Sequence, residues 1–397
     1  MQLAERIQRL GTETAFAVSA EAASQAAKGN PVYPFHLGDL NLPTPQSVVQ
    51  GAFQAVREGK TGYCPNGGIP ELREALAQEV NASRGTSYTM DNVAVQPGGK
   101  PVIGKFILSL MNPGDGVLYP SPGFPIYESQ IDFHGGAAVP YPYVERDGRF
   151  TVDLDDLEDR IGPRTRLMII NDLHNPTGGR FSPDELSRLA ELIDRHELTV
   201  LLDEAYFDIC YAEGRQSLAG LPGMQERCLI LYTFSKTFAM TGWRLGAAIG
   251  PRELIEAIIR LNVNDESCSN HFVQHGALAG LQQGDGEVEA MLERLRARRD
   301  LAVNLLRDIP GVSCCRPDST FYLYPNITEL LEERGSDVET FRRELLEATG
   351  VSVCGRHHFG RPLPEEDQSY LRLAYSGIGR DQIAEGLQAF KAFVERS

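Results

Sequence analysis

Residues 182–206 read SPDELSRLAELIDRHELTVLLDEAY, and a helix signal runs directly into a strand signal. The first part, SPDELSRLAELIDRHE, has a helical pattern, with Ser182 as cap and Pro183 in the first turn, where a missing N–H is harmless. The second part, LTVLLDEAY, is a short apolar run closed by polar residues, as a buried strand is. The same alternation extends outward from about residue 46 to 285. NVAVQPGG, GVLYP, RLMIIND, CLILYTFS and LGAAIG are further apolar runs ending in polar or Gly/Pro punctuation. This pattern predicts an α/β fold with a largely parallel central sheet covered by helices on both faces. Beyond residue 286, long charged helices alternate with strand-like STFYLYP and SYLRLAY, predicting a smaller α+β domain. The expected division is an arm at 1–45 that also contributes to the small domain, a large domain at 46–285 and a small domain at 286–397.

Composition narrows the function classes. The chain has 397 residues, 42% of them apolar, and a formal charge of −16 with no basic arm, which argues against nucleic acid or an anionic membrane as partner. Seven cysteines without a CxxC pair fit neither a disulfide framework nor a zinc site, so reduced thiols in a cytoplasmic protein are expected. Adjacent Cys314 and Cys315 read as plain strand residues. No signal-peptide core opens the sequence, and no run of about eighteen apolar residues suggests a membrane span.

Ligand sites in such sheets lie beyond the carboxyl ends of the strands, and the polar motifs of this chain fall there. QPGGKP places Gly98, Gly99 and Lys100 between a strand and a helix that has Pro101 near its first turn, so backbone N–H groups there can cradle a phosphate. Ser235 and Arg244 can add a hydroxyl and a guanidinium. Asp203 ends its strand, where a carboxylate serves either as a local cap or as the partner of a protonated heteroaromatic nitrogen. TFSKTFAMTGWRLG at 233–246 holds Lys236, one of six lysines beside thirty-two arginines. An amine can lose its proton in an apolar setting and a guanidinium cannot, so a lysine here points to chemistry.

HNPTGG at 174–179, DEAY at 203–206, SKTFAMTGWRLG at 235–246 and RLAY at 372–375 follow in that order. The set resembles the fold-type-I, class I/II pyridoxal-phosphate aminotransferases, of the aspartate aminotransferase type, along nearly the whole chain. The resemblance implies that Lys236 forms the Schiff base with the cofactor and moves the substrate proton. It implies that Asp203 faces the pyridine nitrogen, while Asn175 and Tyr206 bond the phenolic oxygen of the ring. Gly98, Gly99, Lys100, Ser235 and Arg244 would hold the phosphate, and Phe124 in SPGFPIY would stack on the ring. Tyr63 would reach the phosphate of a neighbouring subunit, making the active unit a homodimer with shared sites. Arg372 would grip the substrate α-carboxylate with help from Asn175 and the backbone near Gly38. Without the resemblance, Arg372 reads as a structural ion pair with an acidic residue.

Three positions depart from the family pattern. LGDLNLPTP at 37–45 is short, Leu173 stands where proline is frequent, and His174 adjoins Asn175; the expected role of His174 is that of a loop residue rather than a second base. His357 and His358 are expected on an exposed loop, pointing apart, and no metal is assigned. The implied activity is transfer of an amino group from an L-α-amino acid to a 2-oxo acid. A lyase, cyclase or oxidase on the same scaffold is the alternative. A cofactor-sensing DNA regulator would need a reading module for which about thirty-five residues before HLGDLN are too few.

Overall fold

The computed structural model describes residues 1–11, 13–283 and 285–396. Among the described residues, thirteen strands follow one another along the chain. They are β1 (Tyr33–Pro34), β2 (Val93–Gln96), β3 (Gly116–Ser121), β4 (Ala137–Arg146), β5 (Arg149–Val152), β6 (Thr165–Ile170), β7 (Thr199–Asp203), β8 (Cys228–Thr233), β9 (Gly246–Ile249), β10 (Tyr322–Leu323), β11 (Val351–Ser352), β12 (Cys354–Gly355) and β13 (Leu371–Ala374).

Eight of them form one sheet in the order β2-β9-β8-β7-β6-β3-β4-β5. The pairs β8/β7, β7/β6, β6/β3 and β3/β4 are parallel, and the antiparallel partners β9, β2 and β5 lie toward the edges. Alternation along the central strands explains why both faces are covered. Val200, Leu202, Ile230 and Tyr232 point into one apolar cluster; Leu201, Leu229 and Leu231 point into another. The first cluster takes Leu186, Leu189, Leu192 and Ile193 from the helix Pro183–Arg195. That helix opens with the expected Ser182 cap, completed by Glu185, whose side chain accepts from the Ser182 N–H. The second cluster takes Val102, Ile103, Phe106 and Ile107 from the helix Lys100–Leu110, and Leu254, Ile255 and Ile258 from Arg252–Asn264.

A third cluster joins Phe35 to Leu295, Phe341, Phe390 and the strand residues Tyr322, Leu323, Leu371 and Leu373. Here β10-β13-β12 is antiparallel, and β1 pairs in parallel with β11. The first forty-five residues therefore contain a helix, Ala15–Ala27, and a strand that joins a late part of the chain.

Two local expectations are corrected. Cys314 and Cys315 lie outside any strand ladder, where the Cys315 thiol reaches Glu145 Oε1 at 2.9 Å. His357 and His358 occupy a short 3₁₀ turn, Arg356–His358, which brings their ring centroids to 3.9 Å instead of splaying them; His357 is exposed and His358 is buried. All seven cysteines are unpaired, and no helix among the described residues is long and apolar enough to cross a membrane.

Candidate active site

Four strands of the large sheet deliver their carboxyl ends to one cavity of about 570 Å³. β7 ends on Asp203, β8 runs through Thr233 into the one-turn helix Phe234–Thr237 carrying Lys236, β6 leads to Asn171 and Asn175, and β2 leads to the glycine turn before Lys100. Tyr322 of the third apolar cluster and Arg372 of β13 also line the cavity. Of the residues expected from sequence, Gly38, Gly99, Lys100, Phe124, Asn175, Asp203, Tyr206, Ser235, Lys236, Arg244 and Arg372 all line this cavity. Gly98 lies just behind it, and Tyr63, 89% exposed, lies outside the cavity of its own chain.

Lys236 Nζ donates to the Gly38 carbonyl at 2.7 Å. Burial lowers its pKa from 10.5 to about 8; Arg372 and Arg244 push the same way, while Asp39 and Glu13 oppose them. Gly38 has no room for a side chain, since a Cβ would stand 2.0 Å from the Tyr322 hydroxyl. The backbone therefore comes close enough for its carbonyl to meet the lysine.

Asp203 is buried, and burial raises its carboxyl to about 6 despite bonds that favour the charged form. Those bonds come from the Tyr127 hydroxyl to Oδ2 at 2.6 Å and the Ala205 N–H to Oδ1 at 3.2 Å. Asn171 joins the motifs, donating from Nδ2 to the Asp203 carbonyl at 2.8 Å and accepting the Asn175 N–H at 3.0 Å. The Tyr206 hydroxyl lies 2.7 Å from that of Tyr322.

At the other end, the helix Lys100–Leu110 begins with no side-chain cap, and its start lines the cavity through Gly99 and Lys100. Gly98 adopts φ +102°, and the place of its missing Cβ is filled by the Arg244 guanidinium, 2.4 Å from where that carbon would stand. Arg244 Nη1 donates to the Thr241 carbonyl at 2.8 Å, and Ser235 Oγ accepts from Thr233 Oγ1 at 3.0 Å. An uncapped helix start, a glycine pair, a hydroxyl and an exposed arginine form a cradle suited to a phosphate.

Arg372 is 5% exposed and forms no ion pair with an acidic side chain among the described residues. Its Nη2 donates to the His36 carbonyl at 2.6 Å and its Nη1 to Asn175 Oδ1 at 3.3 Å, its guanidinium lies 4.5 Å from the Tyr322 ring centroid, and its buried Nε has no partner. A buried guanidinium on a cavity wall, without an acidic partner among the described residues, is suited to an anion brought from outside. The structural ion pair that the residue alone suggests is not formed.

His174 is the loop residue expected from sequence, and it is buried. It stacks on Tyr143 at 3.7 Å, its Nδ1 lies 2.8 Å from Thr177 Oγ1, and burial lowers its pKa to about 3, which leaves it neutral and structural. Sequence reasoning missed Glu13, Tyr127, Asn171, Thr233, Tyr322 and His358 on the cavity wall. Tyr127 and Asn171 were findable, lying three residues after Phe124 and four before Asn175.

The family described as Aminotransferase class I and II matches residues 31–390. The chain belongs to this family. Among relatives of this aminotransferase, a probable aspartate/prephenate aminotransferase of Aquifex aeolicus is 32% identical, covering 99% of this chain and 98% of its own. An aspartate aminotransferase of Bacillus subtilis is 31% identical over the full length of both. Solved aspartate aminotransferases from Rhizobium meliloti (TM-score 0.93, 30% identity, 100% and 99% coverage) and Thermus thermophilus, the latter with maleate (0.91, 30%, 99% of each), share the fold. The α/β architecture with a mostly parallel sheet is that of fold type I, and the chain is an aminotransferase of this pyridoxal-phosphate-dependent family.

Proposed function

We propose that the cavity binds pyridoxal 5'-phosphate and exchanges an amino group between an L-α-amino acid and a 2-oxo acid. The observation that carries this reading is the convergence of Lys236, lowered to about 8, buried Asp203 and unpaired Arg372 on one cavity. The residues fit the cofactor: the Gly98–Lys100 turn, Ser235 and Arg244 suit its phosphate, and Asp203 suits a protonated pyridine nitrogen. Phe124 offers an aromatic face, and Asn175 and Tyr206 offer polar groups for the ring oxygen. When bound, the cofactor supplies an aldehyde for the amino group and a ring that withdraws electrons from the substrate's Cα.

The protein's own groups do the rest. Arg372 and Asn175 fix the α-carboxylate and so orient the Cα–H bond. With the cofactor bound, Lys236 would act as a free amine, taking the Cα proton on Nζ and delivering it to the carbon on the far side of the migrating nitrogen. Asp203 holds negative charge where the ring nitrogen must keep its proton, and the Tyr127 and Ala205 bonds keep that carboxylate ionised at neutral pH. The Gly38 carbonyl steadies Nζ between transfers. Tyr63, exposed and outside its own cavity, is assigned to the site of a second subunit in a homodimer.

Arg372→Ala tests the reading. Losing one member of a desolvated charge pair costs about 2–5 kcal/mol, so kcat/KM for amino acids falls about thirtyfold to several thousandfold. Reaction with the matching decarboxylated amines is nearly unchanged. Equal losses for both, or no conversion of any amino acid to its oxo acid by the wild-type enzyme, contradict the reading.

A further inference from the structure

With the roles above assigned, Lys100 is the one cation lining the cavity, among the described residues, whose side chain has no task. Its ammonium lies 2.6 Å from Glu13 Oε1 and 5.5 Å from the Phe124 ring centroid. Glu13 is the less exposed partner, its side chain 15% exposed against 47% for Lys100. Its Oε1 is buried and meets Nζ as a charge contact rather than an aligned hydrogen bond.

The segment around Glu13 is pinned on both sides. The Gly11 N–H donates to Ser129 Oγ at 2.9 Å on the helix Ile126–Phe133, and Thr14 Oγ1 lies 2.8 Å from His358 Nδ1. The carboxylate between these anchors enters the cavity, where its charge also reaches Lys236 and Tyr322. The cavity wall also includes the apolar Ala15, Phe16, Leu37, Ile103 and Phe359.

We propose that Glu13 is a specificity-determining residue. It occupies Lys100 in place of a substrate's side-chain carboxylate, so the enzyme favours amino acids with uncharged side chains over dicarboxylic ones. This rests on the transamination reading and gives it a substrate class, one that departs from the aspartate in the names of several relatives. A dicarboxylic substrate that reaches Lys100 must evict Glu13 and leave a largely buried carboxylate unpaired, close to its own second carboxylate. An uncharged side chain packs on the apolar wall and leaves the pair intact. Discrimination thus comes from a repulsive element as much as from attraction.

The test compares two unreactive C4 acids, succinate and butanoate, which differ by one terminal carboxylate, binding to the enzyme loaded with pyridoxal phosphate in titration calorimetry. Wild type binds succinate no more tightly than butanoate. Glu13→Gln shifts the ratio of dissociation constants toward succinate by about tenfold or more. Glu13→Gln with Lys100→Met loses that shift, because the freed ammonium is its source. Glu13→Ser repeats the single substitution should the glutamine variant fold poorly. The kcat/KM ratio of L-glutamate to L-glutamine moves the same way as the binding ratio. A wild-type preference for succinate that Glu13→Gln leaves unchanged, or a shift that survives Lys100→Met, overturns the proposal. Turnover of amino acids with unshifted ratios sinks the role of Glu13 alone, whereas shifted binding ratios with no turnover of any amino acid sink transamination and leave the role of Glu13 standing.

Discussion

At the scale of single residues, the reactivity of Lys236 is a balance among groups that face it from several elements. Burial, then Arg372 from β13 and Arg244 after the Lys236 turn, favour the free amine; Asp39 and Glu13 from the N-terminal region favour the ammonium. With its pKa lowered from 10.5 to about 8, the proton leaves across a window centred near pH 8. The rate at which the cofactor-free protein captures pyridoxal phosphate is expected to rise with pH through that midpoint, read by the absorbance of the product. Arg372→Ala removes a cation that pushes the pKa down, so the midpoint moves up; Asp39→Asn removes an opposing carboxylate, so it moves down. A midpoint near the ordinary lysine value, insensitive to both substitutions, contradicts this balance.

At the scale of elements, the site depends on how helix ends are tied to strand ends. The helix Pro70–Arg84 stops at Gly85, whose φ of 74° suits glycine, and its last residue turns inward. The Arg84 side chain is 1% exposed, pairs with Glu204 Oε2 at 3.0 Å and lies 3.8 Å from the Phe207 ring centroid. Glu204, the neighbour of Asp203, also accepts from Ser217 Oγ at 2.5 Å. Arg84→Met strands a buried carboxylate, and denaturant unfolding is expected to show a loss of about 3–5 kcal/mol. Adding Glu204→Gln recovers a large part of it; a single-variant loss below about 1 kcal/mol, the level of an exposed pair, argues against a buried tie.

The same elements show what a sequence discloses. Runs such as TVLLD and CLILYT announce themselves because both faces of each strand are buried, and Ser182 with Pro183 marks a helix start through purely local bonds. Motif residues from Lys236 to Arg372 were legible because their spacing is characteristic of a family. By contrast, β10 keeps only Tyr322–Leu323 of the apolar STFYLYP, since side-chain pattern alone does not say which backbone groups find a ladder. Thr14 meeting His358, Glu13 meeting Lys100 and Tyr206 meeting Tyr322 join residues far apart in the chain, so no local pattern encodes them. The 3₁₀ turn at His357 was hidden for a related reason, because a pair of histidines carries no periodicity.

At the scale of the whole molecule, Tyr63 at 89% exposure, Phe53 at 62% and Val263 at 53% place large apolar side chains in solvent, and Tyr63 has no task in the cavity of its own chain. Burying such groups against a second copy is favourable, as the proposed homodimer would. Sedimentation should give a dimer. Lys236→Ala chains and Tyr63→Phe chains, each impaired alone, should regain activity when dissociated and reassociated together, because one of the two composite sites then receives both native residues. A monomer, or heterodimers no more active than the parents, contradicts shared sites.

The proposed function rests on one amine, Lys236, for the chemistry of this aminotransferase. The direct measurement is to load the protein with pyridoxal phosphate, reduce it with borohydride so that the cofactor is fixed to the nitrogen holding it, and map the labelled peptide by mass spectrometry. The predicted result is a single label on Lys236. A label on Lys100 or Lys105, or none above background, would contradict the account.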